Sequence, residues 1–117
     1  ELDRSDAAHF DLKQGEGGLV DLEFLLQYVV LRESGEHLEL SSPRDTAGLI
    51  AAARDAAVLQ EAVAGALAEA HAGLLALGLA CTLDRRPRRV PEDAQVSNLR
   101  RAIREGWSAF GLQVREA

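Results

Sequence analysis

Residues 10–27 read Phe-Asp-Leu-Lys-Gln-Gly-Glu-Gly-Gly-Leu-Val-Asp-Leu-Glu-Phe-Leu-Leu-Gln, and no other stretch restricts the fold as much. A short extended piece, Phe10 to Lys13, runs through a glycine-rich bend (Gly15, Gly17, Gly18) into a helix expected over residues 18–33. Leu19, Val20, Leu22, Phe24, Leu25, Leu26, Tyr28, Val29, Val30 and Leu31 surround the axis of that helix. A helix apolar all round is a central one, so the rest of the chain is expected to cover it. Two glycines ahead of a helix let the backbone turn sharply. They also leave N–H groups at the positive end of the helix dipole, where a phosphate or a carboxylate can be held. A tight turn from an extended segment into a helix uses the same residues with no ligand at all.

The neighbours this helix needs are supplied by three further helical patterns. The apolar share is 47% but aromatics are only 4%, so Ala, Leu and Val carry the core, a composition for close-packed helices. A second helix is expected to start at Ser42-Pro43-Arg44-Asp45, with a cap, a proline in the first turn and an acid behind it, and to end near Asp55. A third spans about Val58 to Leu83 on the stripe Leu59, Val63, Ala66, Ala70, Leu74, Leu77 and Cys81. Gly65, Gly73 and Gly78 within it are expected to admit a close neighbour. Asp84 to Asp93, with Pro87 and Pro91, reads as a linker. A fourth helix begins with Asp93 as cap and presents Val96, Leu99, Ile103, Trp107 and Phe110 on one face.

The expected fold is therefore all-α: a four-helix, mostly antiparallel bundle with a short extended N-terminal stub. At 117 residues the chain is one domain's length. The stub, Phe10 to Lys13, has no evident strand partner and is expected to complete a neighbour's sheet. Residues 1–9 are polar and without period, and are expected to be a tail. A formal net charge of -6 disfavours nucleic acid as a partner. The single Cys81 excludes an internal disulfide. No apolar run reaches the roughly 20 residues of a membrane span, so no membrane is expected and the cytoplasm is the default location. The start at Glu1, without an initiator or a signal pattern, suggests a piece of a longer protein.

The opening stretch resembles the Lys-x-Gly-x-Gly-Gly-(Ile/Leu)-x-Asp-(Ile/Leu)-Glu-Phe-x-x-Gln signature of the glutamine synthetase adenylyltransferase family. It matches at Lys13, Gly15, Gly17, Gly18, Leu19, Asp21, Leu22, Glu23, Phe24 and Gln27, and continues through Tyr28, Leu31 and Arg32. Val90-Pro91-Glu92-Asp93 and Trp107 resemble the closing segment of the adenylylating half of those enzymes. Uridylyltransferases of the PII signal protein share the Gly-Gly-Leu-x-Asp core but usually carry Arg where Val20 stands, and they lack the Glu-Phe pair. The resemblance implies residues 1–17 as a stub and bend continuing from a nucleotidyltransferase domain, and 18–117 as a helical bundle domain. It implies ATP and Mg in the full enzyme, glutamine synthetase as substrate, and control through a PII-type protein.

The catalytic signature of that family, Gly-Ser followed by Asp-x-Asp, is absent, so no catalytic residue is assigned within this chain and the isolated fragment is expected to be inactive. Asp21 and Glu23 are two apart on a helix and diverge by about 200°, so they cannot share one Mg ion. His9, His37 and His71 show no metal-site spacing, and Cys81 on a helix seam reads as a buried thiol. The candidate site residues are Lys13, Gly17 and Gly18 for a nucleotide or a domain interface, and Asp21, Glu23, Gln27 and Arg32 as polar groups of the first helix that need partners. Arg85, Arg86, Arg88 and Arg89 are candidates for docking an acidic partner or a phosphate, or simply a solvated connector. The alternative to an adenylyltransferase domain is a non-enzymatic helical interaction module.

Overall fold

The computed structural model describes residues 9–43 and 45–113, so of the expected tail at 1–9 residues 1–8 lie outside the described residues, while His9 opens the first strand and is no part of a tail. Its elements are β1 (His9–Asp11), α1 (Leu19–Glu33), a 3-10 turn (Leu38–Ser41), α2 (Thr46–Asp55), α3 (Glu61–Leu83), β2 (Arg89–Pro91) and α4 (Ala94–Ala109). The four helices form the expected, mostly antiparallel bundle.

Two of the helices start on side-chain caps. Asp93 Oδ1 accepts from Val96 N at 2.9 Å at the head of α4, as the sequence suggests. At α2 the cap is Asp45, which accepts from Gly48 N at 2.7 Å, and the helix starts at Thr46. The Ser42-Pro43 pair thus lies before the helix, since the Asp45 carboxylate, three residues ahead of Gly48, satisfies the free amide there. Helix α4 ends in a reversal at Gly111, whose φ of 74° suits a residue without Cβ.

The extended stub finds its partner inside the chain. β1 pairs antiparallel with β2, Phe10 opposite Val90, and the ladder continues through Leu12 N to Arg88 O at 2.9 Å. Phe10 and Leu12 are buried with the helical core, so the stub is part of the bundle's packing and the supposed linker contains its second strand. Pro91 is tolerated because a two-stranded ribbon has only edges.

Helix α1 is buried on one side only. Leu19, Leu22, Leu25, Leu26 and Val29 face the core at steps of three and four, whereas Phe24 is 63% and Leu31 82% exposed. The expectation of a central first helix is corrected here: the long α3 packs against both α2 and α4 and holds the middle. Its buried stripe is Ala64, Leu67, Ala70, Leu74, Gly78 and Cys81. A Cβ on Gly73 would come within 2.9 Å of Leu99, so this glycine does admit α4, while Gly65 has nothing near it. Over an 18-residue window α3 has a mean hydropathy of 1.5, long and apolar enough to cross a membrane by composition, which corrects the expectation that no such run exists.

Candidate functional site

The site that the signature defines is the bend between β1 and α1. Asp11 folds the chain first, accepting Lys13 N and Gln14 N on Oδ1 at 2.9 and 2.8 Å. Gly15 N then bonds Asp11 O, and Gly18 N bonds Gly15 O, each at 2.9 Å. Gly17 sits at φ 81°, and a Cβ there would stand 3.1 Å from the Cβ of Arg100 on α4. A Cβ on Gly18 would stand 2.7 Å from Leu12 O. The glycines are there because the backbone crosses itself and α4 at contact distance.

That geometry uses the amides expected to be bare. Gly17 N donates to Asp21 Oδ2 at 2.7 Å, Leu19 N to Leu12 O and Val20 N to Lys13 O at 3.0 Å each. An anion cradle at this helix end is therefore closed by the chain's own carboxylate and carbonyls. Asp21 is 1% exposed, the one buried acid among the described residues, and its backbone oxygen accepts Trp107 Nε1 at 3.0 Å.

A clasp from α4 holds the bend from the other side. Arg100 and Arg104, one turn apart, converge on Glu16. Arg100 donates from Nε to Glu16 O at 2.8 Å and from Nη2 to Oε1 at 2.9 Å. Arg104 donates from Nε to Oε2 at 3.0 Å and from Nη2 to Oε1 at 3.1 Å. Arg100 also pairs with Glu92 and lies 4.3 Å from the centre of the Phe10 ring. Hydrogen bonding from Arg104, with that residue's charge and Arg100 behind it, holds the Glu16 carboxyl below its ordinary range although burial pushes it up. Arg104 is raised in turn, chiefly by its bond to Glu16. Sequence reasoning missed all three residues. The spacing of Arg100 and Arg104 hints at a shared partner, but that partner lies more than eighty positions away.

The polar residues of α1 do not form one network. Asp21 is inside, whereas Glu23 and Gln27 are exposed along a groove shared with Pro43, Asp45 and Thr46 of the α2 start. Arg32 pairs with Glu33 at 3.3 Å and stacks over Phe110. Lys13 is exposed at the edge of the bend. Phe24 meets Trp107 edge to face at 5.8 Å beside a small apolar cleft completed by Leu25, Tyr28 and Leu112. Of the basic run, Arg85 (φ 56°) turns the chain out of α3, and Arg86 reaches Asp84 and Cys81 Sγ at 3.2 and 3.3 Å. Arg88 is exposed, and Arg89 lies in β2. His9 is exposed on β1, His37 meets Glu39 at 3.4 Å, and His71 is half-buried on α3.

These residues do not fit a Mg-ATP site: Asp21 is spent inside the bend, Glu23 points away from it, and among the described residues no three His, Cys, Asp or Glu side chains converge.

Residues 2–110 match the profile of the family described as GlnD PII-uridylyltransferase. Curated relatives carry a different description. The chain is 58% identical over 112 residues to a bifunctional glutamine synthetase adenylyltransferase/adenylyl-removing enzyme of Stenotrophomonas maltophilia (strain K279a), covering 96% of this chain and 12% of that protein. It is 48% identical over 112 residues to the enzyme so described from Xanthomonas axonopodis pv. citri (strain 306), with the same coverage. Against that of Nitrosococcus oceani it is 35% identical over 110 residues, 94% of this chain and 11% of that protein. The chain thus spans about an eighth of the length of the curated relatives it matches. It belongs to the family described as GlnD PII-uridylyltransferase, and within that family it is similar to the glutamine synthetase adenylyltransferase/adenylyl-removing enzymes.

Proposed function

We propose that this chain is the helical domain attached to the adenylylating core of an enzyme that moves AMP from ATP to glutamine synthetase and, in its full form, removes it again. The observation that carries the reading is the 58% identity across 96% of the chain to an enzyme so described. The division of the signature supports it: Gly15, Gly17, Gly18 and Asp21 are consumed in building the bend, while Lys13, Glu23, Phe24 and Gln27 of the same motif remain on the surface. Residues that a fold does not use are available to a neighbouring domain.

On this reading residues 1–17 lead in from a nucleotidyltransferase domain, with β1 and the bend packed onto the bundle that 18–117 form. Lys13 reaches a nucleotide phosphate or an acid of that domain, with Gly17 and Gly18 setting the angle at which α1 leaves. Catalytic carboxylates, ATP and Mg belong to the parent's other residues, and the isolated chain transfers no AMP. Arg85, Arg86, Arg88 and Arg89 form an edge for an acidic partner. Control by a PII-type protein, and a cytoplasmic setting, go with the same reading.

The family description and the relatives' description differ in nucleotide and in target, so the test offers both. The parent protein is incubated with glutamine synthetase and labelled ATP, and separately with PII protein and labelled UTP. Label on glutamine synthetase alone is expected. Label on PII protein alone, or on neither, overturns the reading.

A further inference from the structure

Residues 15–18 read Gly-Glu-Gly-Gly, so Glu16 carries the one side chain by which the rest of the protein can grip this stretch. Glycine backbone has much conformational freedom to lose, and a bend made of it stays in one geometry only where something outside holds it. Arg100 does so at two levels, bonding the Glu16 carbonyl through Nε and the Glu16 carboxylate through Nη2. The same guanidinium pairs with Glu92 at the joint between β2 and α4, and lies over the Phe10 ring of β1. One side chain, 12% exposed, thus ties the bend to both strands' ends and to α4. Its planar fork of donors makes these bonds together, which a lysine ammonium, a compact point charge, cannot do.

Lys13 lies in the same bend, three residues before Glu16. Its N–H donates to Asp11 Oδ1 at 2.9 Å and its carbonyl accepts from Val20 N at 3.0 Å, while its side chain is exposed. The main chain of Lys13 is therefore fixed within the bend, and the arginines fix the bend to α4. An exposed ammonium on a backbone pinned in this way is presented at one place, and placement is what a group acting on a reacting phosphate needs. A shift of about 1 Å can cost about a hundredfold in rate.

We propose that Arg100, acting through Glu16 and supported by Arg104, is a positioning residue for AMP transfer: it holds the bend so that the Lys13 ammonium meets its anionic target. The inference rests on the function proposed above for Lys13, and it adds residues that lie outside the glycine-rich signature, more than eighty positions along the chain.

A double-mutant cycle in the full-length parent tests it, reading AMP transfer from labelled ATP to glutamine synthetase below the first melting transition of every variant. Arg100→Lys and Lys13→Ala should each lower the rate at least about tenfold. Combined, they should be no more than about threefold slower than Lys13→Ala alone, because a bend without its lysine has nothing left to position. Glu16→Gln releases the same grip from the other end with little change of shape. It should repeat the pattern in both backgrounds, and it decides the matter if Arg100→Lys does not fold. Two effects that multiply, to about a hundredfold in the double variant, overturn the proposal, since a merely structural loss adds to that of Lys13. Transfer at the wild-type rate by Arg100→Lys and Glu16→Gln also overturns it. In both cases wild-type parent still labels glutamine synthetase and the proposed function stands. A wild-type parent that leaves glutamine synthetase unlabelled overturns that function and this inference with it.

Discussion

Glu16→Gln should cost the fold about 2 kcal/mol, a figure that follows from what surrounds the carboxylate. Its side chain is 17% exposed and receives three guanidinium hydrogen bonds, one from Arg100 and two from Arg104. A hydrogen bond to a charged group contributes about 1.5 to 3 kcal/mol, but bonds sharing one acceptor do not add. Arg104 is 41% exposed, so solvent screens its share to about 1 kcal/mol or less. Arg100 is 12% exposed and keeps Glu92 and the Glu16 carbonyl as partners after the change, which limits its loss. Trp107, the one tryptophan, donates to Asp21 O next to the bend and reports unfolding by fluorescence. In urea, with a slope of about 1 to 3 kcal/mol/M, the midpoint should fall by about 1 M.

The pH dependence has a definite sign. Glu16's folded pKa lies below its ordinary 4.5, so its contribution is complete above that value and is lost as pH falls through the lowered folded one. The gap between wild type and Glu16→Gln should be constant from neutrality down to about pH 5 and shrink below pH 4.5. A midpoint change worth less than about 0.5 kcal/mol, or a gap that grows in acid, refutes the clasp.

Leu25→Ala, at a fully buried position, should cost about 2 to 5 kcal/mol, whereas Phe24→Ala, 63% exposed, should cost about 1 kcal/mol or less, most of it the edge contact with Trp107. Equal losses in denaturant titrations of the two variants would show that α1 is surrounded after all. Asp21→Ala should cost about 1 to 3 kcal/mol by leaving Gly17 N unpaired in a buried site, and should speed hydrogen exchange at that amide. Unchanged exchange there would mean the amide is not held by this carboxylate.

The helices were legible because their signals are local: Asp93 as a cap and the stripe of α4 lie within a few residues of what they organise. The cap of α2 was misplaced by three residues because Ser42-Pro43 and Asp45 each satisfy the same start rule, and only the amide of Gly48 decides between them. The ribbon of β1 and β2 was not legible. Three-residue strands carry almost no periodicity, and Phe10 and Val90 are joined only by the path of three intervening helices. The burial of α1 was misjudged for a related reason. Hydrophobicity on all sides records every neighbour a helix has, and among the described residues α1 leaves Leu31 82% exposed and Phe24 63% exposed, with only the edge of Trp107 against it. At the site, the glycines and Asp21 were marked by their spacing, but the Glu16 clasp depends on two arginines in a distant helix.

The division of the signature into residues that build the bend and residues left for the parent enzyme is tested most directly at Lys13, whose side chain is exposed while its backbone carbonyl serves the turn. Lys13→Ala should leave the thermal midpoint of this chain within about 1 °C of wild type, since it removes no buried contact. In the parent enzyme, the rate of AMP transfer to glutamine synthetase should drop at least about tenfold, equivalent to about 1.4 kcal/mol of transition-state stabilisation. A variant that melts early yet transfers AMP at the full wild-type rate would contradict the account.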